Sequence, residues 1–211
     1  MYNFIMEHDN RGQKGANILT RLKSIDTKLL SENSGATLLT AGISGEELCI
    51  TLFGDRITVT YPQFGMAFEE KREIKESMRS LILYYLVTAD GTEPSGRWVA
   101  LSELPGGEFY NRAYQGYSGN RLVSRFGNDL DLFQKAALSV GGSPETYGDL
   151  GFSFSALPRV PLLAVYWKGD EEFTPSAKVL FDGSASHYLP TDLCAYLGSI
   201  LTERLIESAG R

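Results

Sequence analysis

The apolar positions in the first third of the chain predict one helix followed by three strands. Over residues 15–30 they recur every three or four residues, the spacing of one helix face, at Ile18, Leu22, Ile25 and Leu29. Three shorter segments then show strand-like alternation, over residues 36–41, 48–53 and 57–61. Because the connections between these segments are short and turn-like, we expect an antiparallel meander.

The middle of the chain has a mainly helical pattern. Residues 69–87 combine charged first turns with an apolar face, which predicts a helix, and residues 98–101 form a short apolar segment typical of a strand. Helical spacing returns over residues 109–117 and 121–140. The sequence Phe-Gly-Asn-Asp at residues 126–129 predicts a break in the second of these, with Asn128 or Asp129 as the N-cap of the following helix.

Strands return in the last third of the chain and are followed by a final helix. Apolar segments predict strands over residues 150–154, 161–167 and 177–181, and a regular stripe predicts a helix that begins near Thr191. Strands therefore come in two blocks and do not alternate singly with helices. This order predicts a single α+β domain over residues 1–211, with a mainly antiparallel sheet built from two strand blocks with flanking helices.

Composition and charge narrow the possible partners. The chain has 211 residues, of which 43% are hydrophobic, and its net charge is −6. An acidic chain repels a phosphate backbone, so we expect no nucleic-acid partner. No apolar run approaches the length of a membrane span, and the first residues lack the apolar core of a signal peptide. Cys49 and Cys194, the only cysteines, are then expected to be free thiols in a cytoplasmic protein.

Candidate metal ligands follow two of the last predicted strands. Asp170, Glu171 and Glu172 are consecutive carboxylates, and oxygen ligands of this kind bind hard divalent cations. Asp182 follows the next strand, and His187 comes shortly after it. We interpret Asp170, Glu171, Asp182 and His187 as a possible metal site, although a solvated loop and a turn-capping histidine explain the same residues.

Candidate ligand-binding residues cluster before and within the predicted helix of residues 109–117. Paired glycines, Gly106 and Gly107, allow a backbone to approach a ligand closely, although a tight turn is the simpler explanation. Aromatic and basic side chains follow them. Such side chains bind flat ligands by stacking and cation–π contacts, although aromatic residues at helical spacing more often form a core. The members of this set after the glycines are Tyr110, Arg112, Tyr114 and Tyr117.

Several segments together resemble the DUF3786 family, a group of proteins from anaerobic bacteria and archaea without an established activity. The resemblance lies in LPGGEFY, in FGND, in GGSPETYGD and in the long segment from LPRVPLLAVYWKGDEEF to SASHYLPTDL. It covers roughly residues 98–205, and the meander more weakly. It implies an anaerobe's cytoplasm and a metabolism that often uses corrinoids or metal clusters. Some members carry a cysteine-rich iron–sulfur module, which the two cysteines of this chain cannot supply.

These observations leave three functional hypotheses. The aromatic and arginine cluster favours an accessory protein that binds a small molecule, such as a tetrapyrrole or corrinoid-type cofactor. The acidic loop and His187 favour a carboxylate-based enzyme that uses a divalent cation. A protein-interaction module that docks a partner protein is the third hypothesis.

Overall fold

The strands form two antiparallel sheets. A computed structural model describes residues 11–40, 45–70 and 72–210. Sheet A consists, side by side and in chain order, of β1 (Thr37–Thr40), β2 (Glu46–Leu52), β3 (Asp55–Tyr61) and β4 (Met66–Phe68). Sheet B contains β5 (Trp98–Val99), β6 (Ser143–Glu145), β7 (Leu150–Leu157), β8 (Val160–Trp167) and β9 (Ser176–Asp182). Its spatial order is β5-β9-β8-β7-β6. The two strand blocks therefore form separate sheets.

Helices flank both sheets, which confirms the predicted α+β class. They are α1 (Arg11–Lys23), α2 (Thr27–Ser34), α3 (Glu76–Thr88), α4 (Glu108–Tyr117), α5 (Gly119–Phe126), α6 (Leu130–Ser139) and α7 (Thr191–Ser208). Short 3-10 helices lie at Leu101–Glu103 and Ala185–His187. Within the described residues, every helix is too short or too polar to cross a membrane.

The first predicted helix is in fact two helices. Asp26 separates α1 from α2, because its carboxylate accepts hydrogen bonds from the backbone N–H groups of Lys28 and Leu29 and so caps a new helix. Gly35 ends α2 in the left-handed conformation, with φ of 69°. The strand predicted over residues 36–41 follows as β1; Ala41 lies outside the described residues.

The prediction of a helix from residue 69 onward was wrong at its start. Helix α3 begins only at Glu76, and residues 72–75 form neither helix nor strand. The charged sequence before Glu76 has good helix propensity, but Arg72 is drawn to Asp55 by an ion pair of 2.8 Å. The short strand β4 was not predicted, because its three residues are too few to show alternation.

The helical middle of the chain agrees with the sequence. The predicted break separates α5 from α6 at residues 127–129, and Asp129 is the N-cap, accepting a hydrogen bond from the N–H of Leu132 at 2.9 Å. Gly127 has φ of 53°, a conformation that glycine tolerates. The carbonyl of Gly127 also accepts a hydrogen bond of 2.7 Å from the hydroxyl of Tyr166 on β8.

One turn joins the two sheets. Phe53 and Gly54 connect β2 to β3 with φ values of 50° and 85°, as in a type I′ hairpin turn. The N–H of Phe53 donates to the carbonyl of Ala156 on β7 at 2.9 Å. Arg204 of α7 lies over the Phe53 ring, 5.2 Å from its centroid. The turn therefore contacts sheet B and α7 at once.

Close contacts that only glycines allow join α7 to α4, and α5 to sheet B. A Cβ atom at Gly198 would lie 2.1 Å from the hydroxyl oxygen of Tyr114, and one at Gly119 would lie 2.1 Å from the carbonyl oxygen of Ala177 on β9. Tyr114 is fully buried between these elements. The positions of α4, α5 and α7 relative to β9 are therefore tightly fixed.

Gly119→Ala should destabilise the protein by about 1–3 kcal/mol, because the new methyl group meets backbone that cannot rotate away. The matched control is Gly116→Ala, near the end of α4, where an added Cβ meets no atom within 4 Å. That substitution should stabilise the protein by about 0.5–1 kcal/mol through helix propensity. Urea unfolding at low protein concentration measures both changes. Equal effects of the two substitutions would contradict this account of the packing.

Candidate functional site

An elongated groove lies between α7 on one side and Phe68 and residues 72–78 on the other, and we call it the α7 groove. Its volume is about 650 Å³. Lining residues on α7 run from Asp192 to Glu207, a length of about 22 Å at the helical rise per residue. Its apolar lining consists of Phe68, Met78, Leu193, Tyr196 and Ile200. Its charged lining consists of Arg72, Glu73, Lys75, Asp192, Glu203, Arg204 and Glu207.

Two polar contacts hold the wall of residues 72–77 against α7. The hydroxyls of Ser77 and Tyr196 are hydrogen-bonded at 2.8 Å. At the other end, the carboxylate of Asp55 bridges Arg72 at 2.8 Å and Arg204 at 2.5 Å. Because Tyr196 and Arg204 are eight residues apart on α7, these contacts are about 12 Å apart along the helix. The groove runs along α7 between these two contacts and extends past both of them.

The ion cluster at this end is held in a fixed geometry. The guanidinium of Arg72 stacks on the Phe68 ring at 4.4 Å, and its Nε also contacts Glu70 at 2.8 Å. Burial raises the pKa of Asp55, but hydrogen bonds from Arg72 and Arg204 outweigh burial and lower the pKa overall. Asp55 is therefore a carboxylate at neutral pH.

A second cavity of about 590 Å³ adjoins this end of the groove. Arg72, Arg204 and Glu207 line both cavities, so these three charged side chains stand where the two spaces meet. The second cavity continues toward the end of α6, at Ser139 and Val140. A ligand in the groove would thus have both cationic and anionic groups at this end.

Two of the predicted ligand-binding residues are part of the core. Tyr114 is fully buried; its hydroxyl donates to the carbonyl of Val179 at 3.3 Å, and burial raises its pKa well above the usual value. Tyr117 packs edge-on against Tyr114, with ring centroids 5.6 Å apart. These aromatic side chains join α4 to β9 and do not line either cavity.

The glycines and the other two members of that set lie at the start of α4. Gly107 is buried, and a Cβ atom there would lie 1.7 Å from the carbonyl oxygen of Leu101, so it serves a tight turn. Gly106 has φ of 72° and is exposed. Tyr110 and Arg112 are also exposed, and neither lines the α7 groove. The structure therefore divides the six residues between the core and the surface.

The four predicted metal ligands are not brought together. Asp170 and Glu171 lie in the loop before β9, whereas Asp182 is the last residue of β9, a strand about 20 Å long. In the described part of the chain, no group of three or more histidine, cysteine, aspartate or glutamate side chains is placed to hold a metal ion. Asp170 instead accepts hydrogen bonds from the N–H groups of Glu172 and Phe173, which closes the loop.

Asp182 holds together the loops around it. Its buried carboxylate accepts hydrogen bonds of 2.7–2.9 Å from the N–H and hydroxyl of both Ser95 and Ser184, and from the N–H of Gly96. Burial raises the pKa of Asp182, but these hydrogen bonds, those of Ser184 first, outweigh it and lower the pKa. This carboxylate accepts hydrogen bonds from five donors and thereby anchors the loops that contain Ser95 and Ser184.

His187 pairs with a carboxylate far away in the sequence. Its Nδ1 lies 2.7 Å from Asp90 and 3.2 Å from the hydroxyl of Thr92. The hydrogen bond from His187, followed by those from Thr92, lowers the pKa of Asp90 to about 2. Asp182 and Asp192 are the carboxylates closest to His187 in the sequence. Asp182 instead accepts a hydrogen bond from the N–H of Ser95, and Asp192 lines the α7 groove.

The groove residues were not singled out from the sequence. Tyr196 and Ile200 fall on the regular apolar stripe that predicts the last helix, and the structure leaves both half-buried in the groove. One signal was present: Asp192, Tyr196, Glu203 and Glu207 follow one another at spacings of four, seven and four, so polar side chains share this face.

Comparison with known proteins gives one match. The model of the family DUF3786, described as a domain of unknown function, matches residues 30–204. No curated protein and no solved structure matches the chain.

Asp182→Asn should destabilise the protein by about 3 kcal/mol, because an amide cannot accept from all five donors and leaves buried groups unsatisfied. Thermal and urea unfolding measure this loss. Asp170→Asn is the control, since its hydrogen bonds lie in an exposed loop, and it should have little effect. If both variants unfold like the wild type, Asp182 is not the anchor described above.

The Asp90–His187 pair should stabilise the protein in a pH-dependent way. Because pairing lowers the pKa of Asp90 from 3.8 to about 2, its contribution is complete above pH 4 and disappears as the pH falls toward 2. Both side chains are about half exposed, so we expect Asp90→Asn to cost less than about 1 kcal/mol at pH 6. Urea unfolding at pH 6 and pH 2.5 tests this: the difference from wild type should shrink at the lower pH.

Proposed function

The chain belongs to the DUF3786 family, whose description states no activity, and we propose that it is a small-molecule-binding protein whose ligand lies in the α7 groove. The observation that carries this proposal is a groove of about 650 Å³ with an apolar middle and charged ends. Ligand pockets in proteins commonly have volumes of about 300–1,000 Å³ and combine an apolar lining with a few polar groups.

The apolar middle of the groove would supply most of the binding free energy. Met78 faces it from α3, and Tyr196 and Ile200 face it from α7. These side chains are only partly buried in the protein alone. A ligand that covers them removes their remaining apolar surface from water. Each Å² removed contributes about 25 cal/mol of binding free energy.

The charged side chains would orient the ligand. Arg72 and Arg204 already share Asp55, so their guanidinium groups are held in place before a ligand arrives. Lys75 and Glu207 also line the groove, and in the described part of the chain neither has an ion-pair partner. A ligand with polar substituents at its ends can pair with these groups at little cost in side-chain ordering.

These features favour an amphipathic ligand, with an apolar body and polar or acidic substituents. Tetrapyrroles, the class expected from the sequence, have this chemistry, but the supporting residues now lie on α3 and α7 and not on α4. The described lining includes no histidine or cysteine, but Met78 and Tyr196 belong to residue types that ligate haem iron. A metal-free tetrapyrrole separates binding by the groove from metal ligation by these side chains.

We expect saturable binding of protoporphyrin IX, or of the amphipathic dye anilinonaphthalene sulfonate, measured by fluorescence titration of the folded protein. Ile200→Glu should weaken binding at least about tenfold, because it places a charge in the apolar middle; tenfold corresponds to about 1.4 kcal/mol. Leu138→Glu on α6 is the matched control, since Leu138 is 49% exposed and does not line the groove.

Two outcomes would overturn the proposal. One is the absence of saturable binding of either probe. The other is equal weakening by Ile200→Glu and Leu138→Glu, which would place the probe elsewhere. Circular dichroism of each variant checks that a loss of binding does not reflect unfolding.

A further inference from the structure

One end of sheet B presents aromatic side chains to solvent. Phe173 is 69% exposed and Tyr147 is 44% exposed, and Trp167, the last residue of β8, is half-buried. None of the three lines the α7 groove. Large apolar side chains that are exposed close together commonly mark a binding surface. We call Tyr147, Trp167 and Phe173 the aromatic face.

Three loops meet at this end of the sheet. The N–H of Lys168, in the β8–β9 loop, donates to the carboxylate of Asp149, in the β6–β7 loop, at 2.7 Å. The N–H of Gly169 donates to the side-chain carbonyl of Asn128, between α5 and α6, at 2.8 Å. These two hydrogen bonds hold the β8–β9 loop against both of its neighbours.

The aromatic side chains belong to two of these loops and to the strand end beside them. A Cβ atom at Gly148 would lie 3.3 Å from Cε2 of the Trp167 ring, so the chain next to Tyr147 passes beside that ring. Phe173 lies across the β8–β9 loop, where its carbonyl accepts a hydrogen bond of 2.9 Å from the N–H of Asp170. All three rings are therefore carried by one end of sheet B.

The same end of the sheet is strongly acidic. The three loops and the adjoining end of β6 carry six carboxylates, and the cations among them are Lys168 and, on β9, Lys178. In the described part of the chain, none of these six carboxylates forms an ion pair. A partner with positive charge would therefore be attracted to this surface. The carboxylates are those of Asp129, Glu145, Asp149, Asp170, Glu171 and Glu172.

Aromatic rings and carboxylates together select the chemistry of the partner. The face of an aromatic ring attracts cations, and the ammonium group of Lys178 already lies over Trp167, 5.9 Å from the ring centroid. A guanidinium group uses both features, because it stacks on aromatic rings and donates paired hydrogen bonds to carboxylates. A nucleic acid, an anionic membrane or a second copy of this acidic surface would be repelled.

We propose that the aromatic face docks an arginine-rich segment of another protein, with guanidinium groups on the rings of Tyr147 and Phe173 and beside the carboxylates of Glu171 and Glu172. Because these side chains are exposed, salt screens their charges and the complex should weaken as the salt concentration rises. The α7 groove is not part of this surface, so docking does not depend on the proposed ligand.

Fluorescence anisotropy of a labelled peptide of alternating arginine and glycine tests the proposal. The peptide should bind saturably at low salt, and the same peptide with glutamate in place of arginine should not bind. Phe173→Ala and Tyr147→Ala should each weaken binding about two- to fivefold, the loss expected for one exposed cation–π contact. Phe109→Ala is the matched control, because Phe109 is 89% exposed but lies on α4, and it should have no effect.

Charge removal tests the part played by the carboxylates. The double variant Glu171→Gln/Glu172→Gln should weaken binding at least about fivefold and reduce its salt dependence. Both side chains are exposed in a loop, so the protein should stay folded, which circular dichroism checks. The matched control is Glu76→Gln/Glu108→Gln, which removes the same charge from two other exposed positions and should change the affinity by less than about twofold.

The proposal fails on any of three results. The first is the absence of saturable binding of the arginine peptide at low salt. The second is equal weakening by Phe173→Ala and Phe109→Ala. The third is equal weakening by the two double variants, which would show attraction to the overall charge of the chain and not to this surface. Ile200→Glu should bind the peptide as the wild type does, so failure here and failure of groove binding are distinguishable.

Discussion

The burial of Tyr114 between β9 and α7 is the constraint on which the rest of this structure depends. Its hydroxyl reaches the carbonyl of Val179 only because Gly198 has no side chain in its path. The ring thus joins the helical middle of the chain, sheet B and the last helix at one place. An oxygen taken out of water needs a partner, so these elements have little freedom to move apart.

The candidate groove is a consequence of that fixed position of α7. One face of α7 packs against sheet B and against α4, α5 and α6. The opposite face, with Tyr196 and Ile200, is left for Phe68 and residues 72–78. Residues 72–75 precede α3 and form neither helix nor strand, and Asp55 pairs with both Arg72 and Arg204. A carboxylate on sheet A therefore contacts both walls of the groove.

Most of the fold was predictable because its signals are local. The break between α5 and α6 was marked by Gly127 and Asp129, whose effects act within one turn. The predictions were wrong where a side chain contacts a residue that is distant in the sequence. Residues 72–75 stay outside α3 although their propensity favours a helix, and Arg72 there pairs with Asp55, which is close only in the folded chain.

The candidate site was less predictable for the same reason. The tyrosines of α4 were visible as a cluster, but whether an aromatic side chain faces a ligand or a core depends on Gly198, far along the chain. His187 was set beside Asp182 and Asp192 by sequence, whereas its partner Asp90 precedes it by 97 residues. The periodicity of apolar residues does not show which distant segments pair.

The chain order of the groove also matters during synthesis. One wall, at residues 72–78, leaves the ribosome more than a hundred residues before α7. Strand β5 is likewise made long before its partner β9, in which Asp182 lies opposite Trp98. Until then, the parts of α3 and sheet A that pack against later elements are exposed, and chains at this stage are prone to aggregate. Nascent chains of this protein should therefore depend on chaperones until the last helix has emerged.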